Sequence, residues 1–105
     1  MADILAELGR FSEPALLILT SLAGGPKHGY AMIEDIQQIA GVRMEPGTLY
    51  GALARLEKRG WIAPLPAEDR RRPYRITGAG LAALREQIEG LSHVIAVGQQ
   101  RMALG

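Results

Sequence analysis

The sequence has 105 residues, of which 48% are hydrophobic, with a formal net charge of +1 and no cysteine. A chain of this length can bury one compact core but not two, so we predict a single folding unit. The lack of cysteine excludes disulfides and thiolate metal sites, and two histidines alone do not make a structural zinc site. We therefore expect no metal and no other cofactor.

The first ten residues carry acidic side chains, Asp3 and Glu7, where a secretory signal would carry positive charge. No apolar run approaches the roughly 18 residues that a membrane span requires. We therefore expect a soluble protein of the cytoplasm with no membrane partner.

The charges are unevenly distributed along the chain. Residues 1–54 carry three basic and six acidic side chains, whereas residues 55–75 carry seven basic and three acidic ones. A local positive field on a nearly neutral chain is typical of a surface that binds phosphate, although a solvated surface can have the same composition. Charge alone therefore leaves duplex DNA and plain solvent as equal alternatives.

Glycine and proline divide the first part of the chain into helical segments. Residues 2–9 form a short amphipathic pattern that would have to dock on another helix to be stable. Ser12 and Pro14 predict the start of the next helix, since serine caps free amides and proline is tolerated in the first turn. A further helix is predicted over residues 28–40. Its apolar face consists of Met32, Ile33, Ile36 and Ile39.

Another helix and a hairpin are predicted in the middle of the chain. The helix covers residues 46–60, and the two short strands cover residues 61–65 and 74–77. The polar turn between the strands gives the hairpin a charged tip. The apolar stripe of the helix consists of Leu49, Leu53 and Leu56.

Apolar residues repeat along the last predicted helix, which Thr77 can cap. The intervals alternate between three and four residues, which is the heptad pattern of paired helices. We call this stripe the seam. It consists of Leu81, Leu84, Ile88, Leu91, Ile95, Gly98 and Met102. Since an uncovered seam would expose a large apolar surface, a second copy of the chain is the simplest partner. The expected homodimer interface contains Leu84, Ile88, Leu91, Ile95 and Met102.

The order of these elements predicts a mostly α protein with a small β-hairpin. Three helices, a hairpin and a terminal helix follow one another as in a winged helix-turn-helix domain, in which the hairpin is the wing. We predict a winged helix-turn-helix DNA-binding domain over residues 1–80 and a dimerisation helix over residues 81–105.

The start of the third long helix is the first candidate for a binding role. In helix-turn-helix proteins the second helix of the motif lies in the major groove, and its amino-terminal residues meet base edges. Free amides beginning at Gly47 can face a phosphate, and the Thr48 hydroxyl and Tyr50 phenol can donate to phosphate or base. The alternative is that Thr48 only caps and Tyr50 only packs. Arg55 and Lys58, which lie off the apolar stripe, are assigned to the same DNA-facing set.

The tip of the hairpin is the second candidate. Arg70, Arg71 and Arg72 would place long guanidinium side chains within reach of a minor groove or flanking phosphates. A run of arginines in a turn is more often simply solvated. This run, however, directly follows a candidate recognition helix.

Several stretches of the sequence resemble the PadR family of winged-helix regulators. They are LLILTSLAGGPKHGYAMIEDI, EPGTLYGALARLEKRGWI and RRRPYRITGAGLAAL, within residues 16–84. The most specific motifs are HGY at residues 28–30, PGTLY at 46–50, LEKRG at 56–60 and YRIT at 74–77.

The resemblance implies a homodimer, joined through amino- and carboxy-terminal helices, that contacts a palindromic operator in double-stranded DNA. It implies that Tyr30, Thr48, Tyr50 and the basic wing residues touch the DNA, and Tyr74 is counted with them. Members of the family commonly repress genes for phenolic-acid detoxification or multidrug export. They release DNA when a small planar effector enters near the dimer interface, so we expect a repressor of this kind.

Two other classes of function remain as alternatives. A winged-helix module can bind protein without specific DNA binding, and its wing would then be neutral, unlike the one here. An enzyme would need paired acid, base or metal groups. His28 and His93 have no serine, cysteine or carboxylate at a catalytic spacing, so we expect no enzyme.

Overall fold

The computed structural model describes residues 13–105, so the helix predicted over residues 2–9 and the cap predicted at Ser12 lie outside the described range. The mostly helical fold with a small antiparallel sheet is the predicted class. Its elements are α1 (Pro14–Ala23), β1 (Lys27–His28), α2 (Gly29–Ala40), α3 (Pro46–Lys58), β2 (Ile62–Pro64), β3 (Pro73–Ile76) and α4 (Gly78–Leu104).

Helix α1 lies at the centre of the described fold and contacts α2, α3 and α4. Because it is covered on most sides, its sequence is almost continuously apolar and not amphipathic. Leu53 on α3 and Ile62 on β2 complete the core beneath it. The residues with the least exposure are Ile18, Leu19, Leu22, Met32, Ile36, Leu49, Leu53, Ile62 and Ser21.

A polar contact fixes α1 relative to α2 and β1. The buried Ser21 hydroxyl donates to Asp35 Oδ2 at 2.7 Å. Lys27 Nζ donates to the carbonyl oxygens of Ser21 and Gly25 and lies 3.9 Å from Asp35 Oδ2. The buried hydroxyl thus has a charged acceptor, and the start of α2 is held against the end of α1.

The helix boundaries follow the predicted chemistry. Helix α2 ends at Gly41, which adopts a left-handed conformation with φ 67° and donates its N–H to Gln37 O at 2.9 Å. Thr77 caps α4, as predicted, by accepting from Gly80 N at 3.1 Å. Its hydroxyl also donates to Gly60 O at 2.6 Å, which ties the start of α4 to the end of α3.

The sheet has three strands, one more than the sequence predicted. Their order is β1, β3, β2, and both pairs are antiparallel. Lys27 lies opposite Tyr74, and Ile62 lies opposite Ile76. A two-residue strand such as β1 is too short to leave a periodic pattern, so only its pairing with β3 reveals it. This pairing attaches the wing to the start of α2.

The structure corrects two predictions, one about a residue of the seam and one about a residue of the core. Leu84, predicted in the dimer interface, is only 5% exposed and belongs to the core of the chain itself, because the first turns of α4 pack on α1. Ile39, predicted on the buried face of α2, is half exposed because it lies in the last turn, beyond the core.

Candidate nucleic-acid interface

Helix α3 buries one face and exposes the start that the sequence singled out. Leu49, Ala52, Leu53 and Leu56 are buried, which confirms the predicted apolar stripe. Gly47 and Thr48 are exposed in the first turn. The N-cap position is held by Glu45, without a side-chain capping bond. Thr48 is therefore not the cap of α3, and it is exposed in the first turn of the helix.

Tyr50 both packs and remains accessible. Its side chain is 55% exposed, yet its ring lies against the start of α2. A Cβ added to the buried Gly29 would lie 2.6 Å from Tyr50 Oη and 3.1 Å from Leu49 Cδ2. Only a glycine at position 29 allows this approach, so the HGY motif shapes the surface on which Tyr50 rests.

The wing places its arginines beside this surface. The strands continue past β2 and β3 through a hydrogen bond from Leu65 N to Pro73 O, 2.8 Å, and end in a bridge between Glu68 and Arg71. Arg71 Nη1 lies 3.4 Å from His28 Nε2, so the wing tip touches the start of α2.

One concave pocket, about 360 Å³ in volume, brings together residues from α2, α3 and the wing. It joins six of the predicted DNA-facing residues that the sequence places far apart. They are Tyr30, Tyr50, Arg70, Arg71, Arg72 and Tyr74, and His28 and Gly29 line the pocket with them. Phenol hydroxyls and guanidinium groups are hydrogen-bond donors, so this pocket suits an anionic, acceptor-rich partner such as a phosphate backbone.

Tyr74 is the pocket residue whose ionisation the surroundings change. Burial raises the pKa of its hydroxyl, the Glu57 carboxylate raises it further, and Arg72 lowers it in part. A raised pKa keeps the phenol protonated well into the alkaline range. A phenol with its ordinary pKa of about 10 is already neutral near pH 7, so Tyr74 is a neutral hydrogen-bond donor there with or without this shift.

Two predicted residues of α3 lie away from this pocket. Lys58 is exposed in the last turn of the helix. Arg55 lines a separate groove of about 870 Å³ between the start of α1, the end of α3 and α4. Trp61 borders the same groove and packs against the core, and the Arg59 guanidinium lies 5.1 Å from the centre of its ring.

His28 has a structural role that the sequence did not indicate. Its Nδ1 accepts from Ala31 N at 3.4 Å and caps α2, while its Nε2 faces Arg71. A neutral imidazole has only one acceptor nitrogen, whereas the Ala31 N–H and the Arg71 guanidinium are both donors. The helix cap and the wing contact therefore compete for that acceptor. The HGY motif is the one signal in the sequence that marks this position.

Two classes of feature are absent from the described part of the chain. Between residues 13 and 105, no group of three or more His, Cys, Asp or Glu side chains is arranged to hold a metal ion. No helix within the same residues combines the length and hydropathy needed to cross a membrane.

Comparison with known proteins identifies the family. Residues 18–86 match the family model described as the transcriptional regulator PadR-like family. The chain is 37% identical over 97 residues to the transcriptional regulator Rv3488 of Mycobacterium tuberculosis, covering 84% of this chain and 87% of that protein. A solved transcriptional regulator from Clostridium thermocellum superposes with a TM-score of 0.75 at 30% identity, covering 90% of this chain and 96% of that one.

A further relative is much longer than this chain. An uncharacterised 37.1 kDa protein in transposon TN4556 of Streptomyces fradiae is 45% identical over 87 residues, which are 83% of this chain and 24% of that protein. The chain thus spans about a quarter of that relative. The fold and these matches define a winged-helix transcriptional regulator. The chain belongs to the PadR-like family.

Proposed function

We propose that this regulator binds duplex DNA with sequence specificity, as a homodimer on an inverted-repeat operator. The start of α3 would enter the major groove, and the wing would contact the adjacent minor groove and phosphates. The observation that carries the proposal is the shared pocket, in which Tyr50 of α3, Tyr30 of α2 and the wing arginines meet on one surface.

The homodimer is supported by the far part of α4. Ile88, Ile95 and Met102 of the seam are 46%, 57% and 82% exposed in the single chain, and Leu91 is half-buried. Exposed apolar side chains along one helix favour burial against a second copy. A twofold pair of chains would present two recognition helices, which is why the expected operator is an inverted repeat.

Selection of binding sites from a pool of random duplexes tests this proposal. We expect recovery of an inverted repeat whose half-sites are about one helical turn apart, bound with strong salt dependence. Recovery of no enriched sequence, together with binding that ignores salt, would favour the alternative of a module that binds protein.

We further propose that the DNA-bound form represses transcription and that a small planar effector releases it. The groove next to Trp61 lies beside α4, so a compound bound there would bear on the helix proposed to join the two chains. A reporter with the selected repeat inside its promoter separates repression from activation. Because Trp61 is the single tryptophan, its fluorescence reports binding of a planar compound to this groove.

A further inference from the structure

Two of the three wing arginines are held by hydrogen-bond contacts. Arg71 Nη1 lies 3.4 Å from His28 Nε2, and Arg72 Nη1 donates to the carbonyl oxygen of Leu65 at 3.1 Å. Within residues 13–105, the guanidinium of Arg70 makes no hydrogen bond or ion pair of this kind. One contact thus ties Arg71 to the start of α2, the other ties Arg72 to the backbone of the wing, and Arg70 is left at the tip.

The backbone at the tip is also unusual for an arginine. Asp69 and Arg70 both have positive φ, 47° and 68°. Two backbone hydrogen bonds between Glu68 and Arg71, each 2.7 Å, close the turn around them. Positive φ at both central residues is characteristic of a type I′ turn. Such a turn favours glycine as the second of its two central residues, because a side chain there crowds the backbone. Arg70 occupies that position against the local preference.

We propose that Arg70 is the wing residue that enters the minor groove, and that it gives the protein a preference for A·T base pairs flanking its half-sites. The inference rests on the proposed function. A·T tracts have a narrow minor groove with an enhanced negative potential that attracts a guanidinium group. Arg71 contacts His28 at the start of α2, and Arg72 contacts the backbone of the wing itself, so Arg70 is the wing arginine left to extend from the turn.

The test compares two duplexes that differ only in the minor groove. The first is the inverted repeat recovered by selection, flanked by runs of A·T pairs. In the second, 2,6-diaminopurine replaces each flanking adenine, which adds an amino group to the minor groove and leaves the major-groove edge unchanged. We expect the full-length wild-type chain to bind the first duplex about tenfold more tightly.

Two variants assign this preference to a residue. Arg70→Gly should bind both duplexes with the same affinity. That affinity should be no higher than the affinity of the wild type for the duplex with 2,6-diaminopurine. Its thermal midpoint should not fall, since glycine adopts a φ of 68° freely. The matched control, Arg72→Ala, removes the same charge from the wing. It should weaken binding to both duplexes by one factor and keep their ratio near ten.

The outcomes separate this inference from the proposed function. If the wild type binds neither duplex, the proposed function fails and this inference fails with it. If the wild type binds both duplexes but does not distinguish them, the inference alone is wrong. It is also wrong if Arg70→Gly keeps the preference, or if Arg72→Ala abolishes it.

Discussion

Two glycines set the distances between elements around the candidate interface. Gly29 brings the start of α2 against the ring of Tyr50, and Gly80 brings the first turn of α4 against the backbone of Trp61. A Cβ at Gly80 would meet backbone atoms of Trp61, which have little room to move, and a Cβ at Gly29 would displace the half-exposed ring of Tyr50. The absence of a Cβ at each of these glycines is therefore a condition for the shape of the fold at these points.

At the residue scale, we predict that Gly80→Ala destabilises the fold. The added Cβ would clash with the Trp61 carbonyl oxygen and lie 2.8 Å from Ile76 Cγ1. Overpacking of this kind costs about 1–3 kcal/mol, which lowers the thermal midpoint by several degrees. Thermal unfolding at one fixed protein concentration measures it.

A matched control is available in the same turn of α4. A Cβ at Gly78 would have nothing within 4 Å, so Gly78→Ala should leave the thermal midpoint nearly unchanged. Equal destabilisation by the two substitutions would contradict the role assigned to Gly80, because it would point to the helix start in general.

At the element scale, α4 consists of two parts with different surroundings. Its first turns belong to the domain, since Gly80 and Leu84 are buried. From Ile88 onward most of its apolar side chains are exposed. The helix also contains Gly90 and Gly98, each of which lowers helix stability by about 1 kcal/mol relative to alanine. We therefore expect the far part of α4 to depend for its stability on packing against the second copy proposed above.

We predict that the double substitution Ile88→Glu and Ile95→Glu converts the dimer to a monomer. Burying an isoleucine side chain is worth about 1.5–3 kcal/mol, so two buried glutamates should raise the dimer dissociation constant by roughly two orders of magnitude or more. Sedimentation at micromolar protein measures the mass. The control is His93→Glu, which introduces one negative charge on the opposite side of the helix and should leave the dimer intact. A wild type that sediments as a monomer would refute the interface.

At the scale of the whole molecule, positive charge is concentrated in the end of α3 and the wing. The protein carries a net charge of only +1, yet seven of its twelve basic residues lie in residues 55–75. The fold divides even this set, because Arg55 lines the groove beside α4 while Arg70, Arg71 and Arg72 line the pocket with Tyr50. A local field of this kind acts on phosphates within about one Debye length, so its effect depends on salt.

We predict that Tyr50 and the wing arginines contribute to binding in different ways. Tyr50→Ala should weaken binding to the selected repeat by about 1–3 kcal/mol more than binding to random duplex, with little change in salt dependence. Replacing the three arginines by alanine should weaken binding to the selected repeat and binding to random duplex. It should also flatten the plot of log affinity against log salt by roughly one unit per lost phosphate contact.

Titration of the three proteins on both duplexes at several salt concentrations measures these slopes. The assignment is wrong if both variants lose the same affinity on every sequence with the same salt slope. Tyr30 lines the same pocket from α2 and is 64% exposed. The affinity losses caused by Tyr30→Ala can therefore be compared with those caused by Tyr50→Ala.

The sequence by itself determined the helices α1 to α4, the hairpin and their order along the chain. Helical periodicity, the capping chemistry of Thr77 and the glycine and proline boundaries are local properties, so they predicted α2, α3, the hairpin and α4. The apolar stripe of α3 was also correct, since a stripe facing a core leaves its pattern in the sequence. The order of the elements and the arginine run at the hairpin tip identified the start of α3 and the wing as candidate binding elements.

Only the tertiary structure decided which side chains meet. A heptad stripe is the same in sequence whether it faces its own domain or a second chain, so Leu84 and Ile88 could not be told apart until α1 was placed against α4. The strand β1, the contact of His28 with Arg71 and the separation of Arg55 from the pocket all depend on residues distant in the chain. Such contacts are set by the packing of whole elements, which no local pattern encodes.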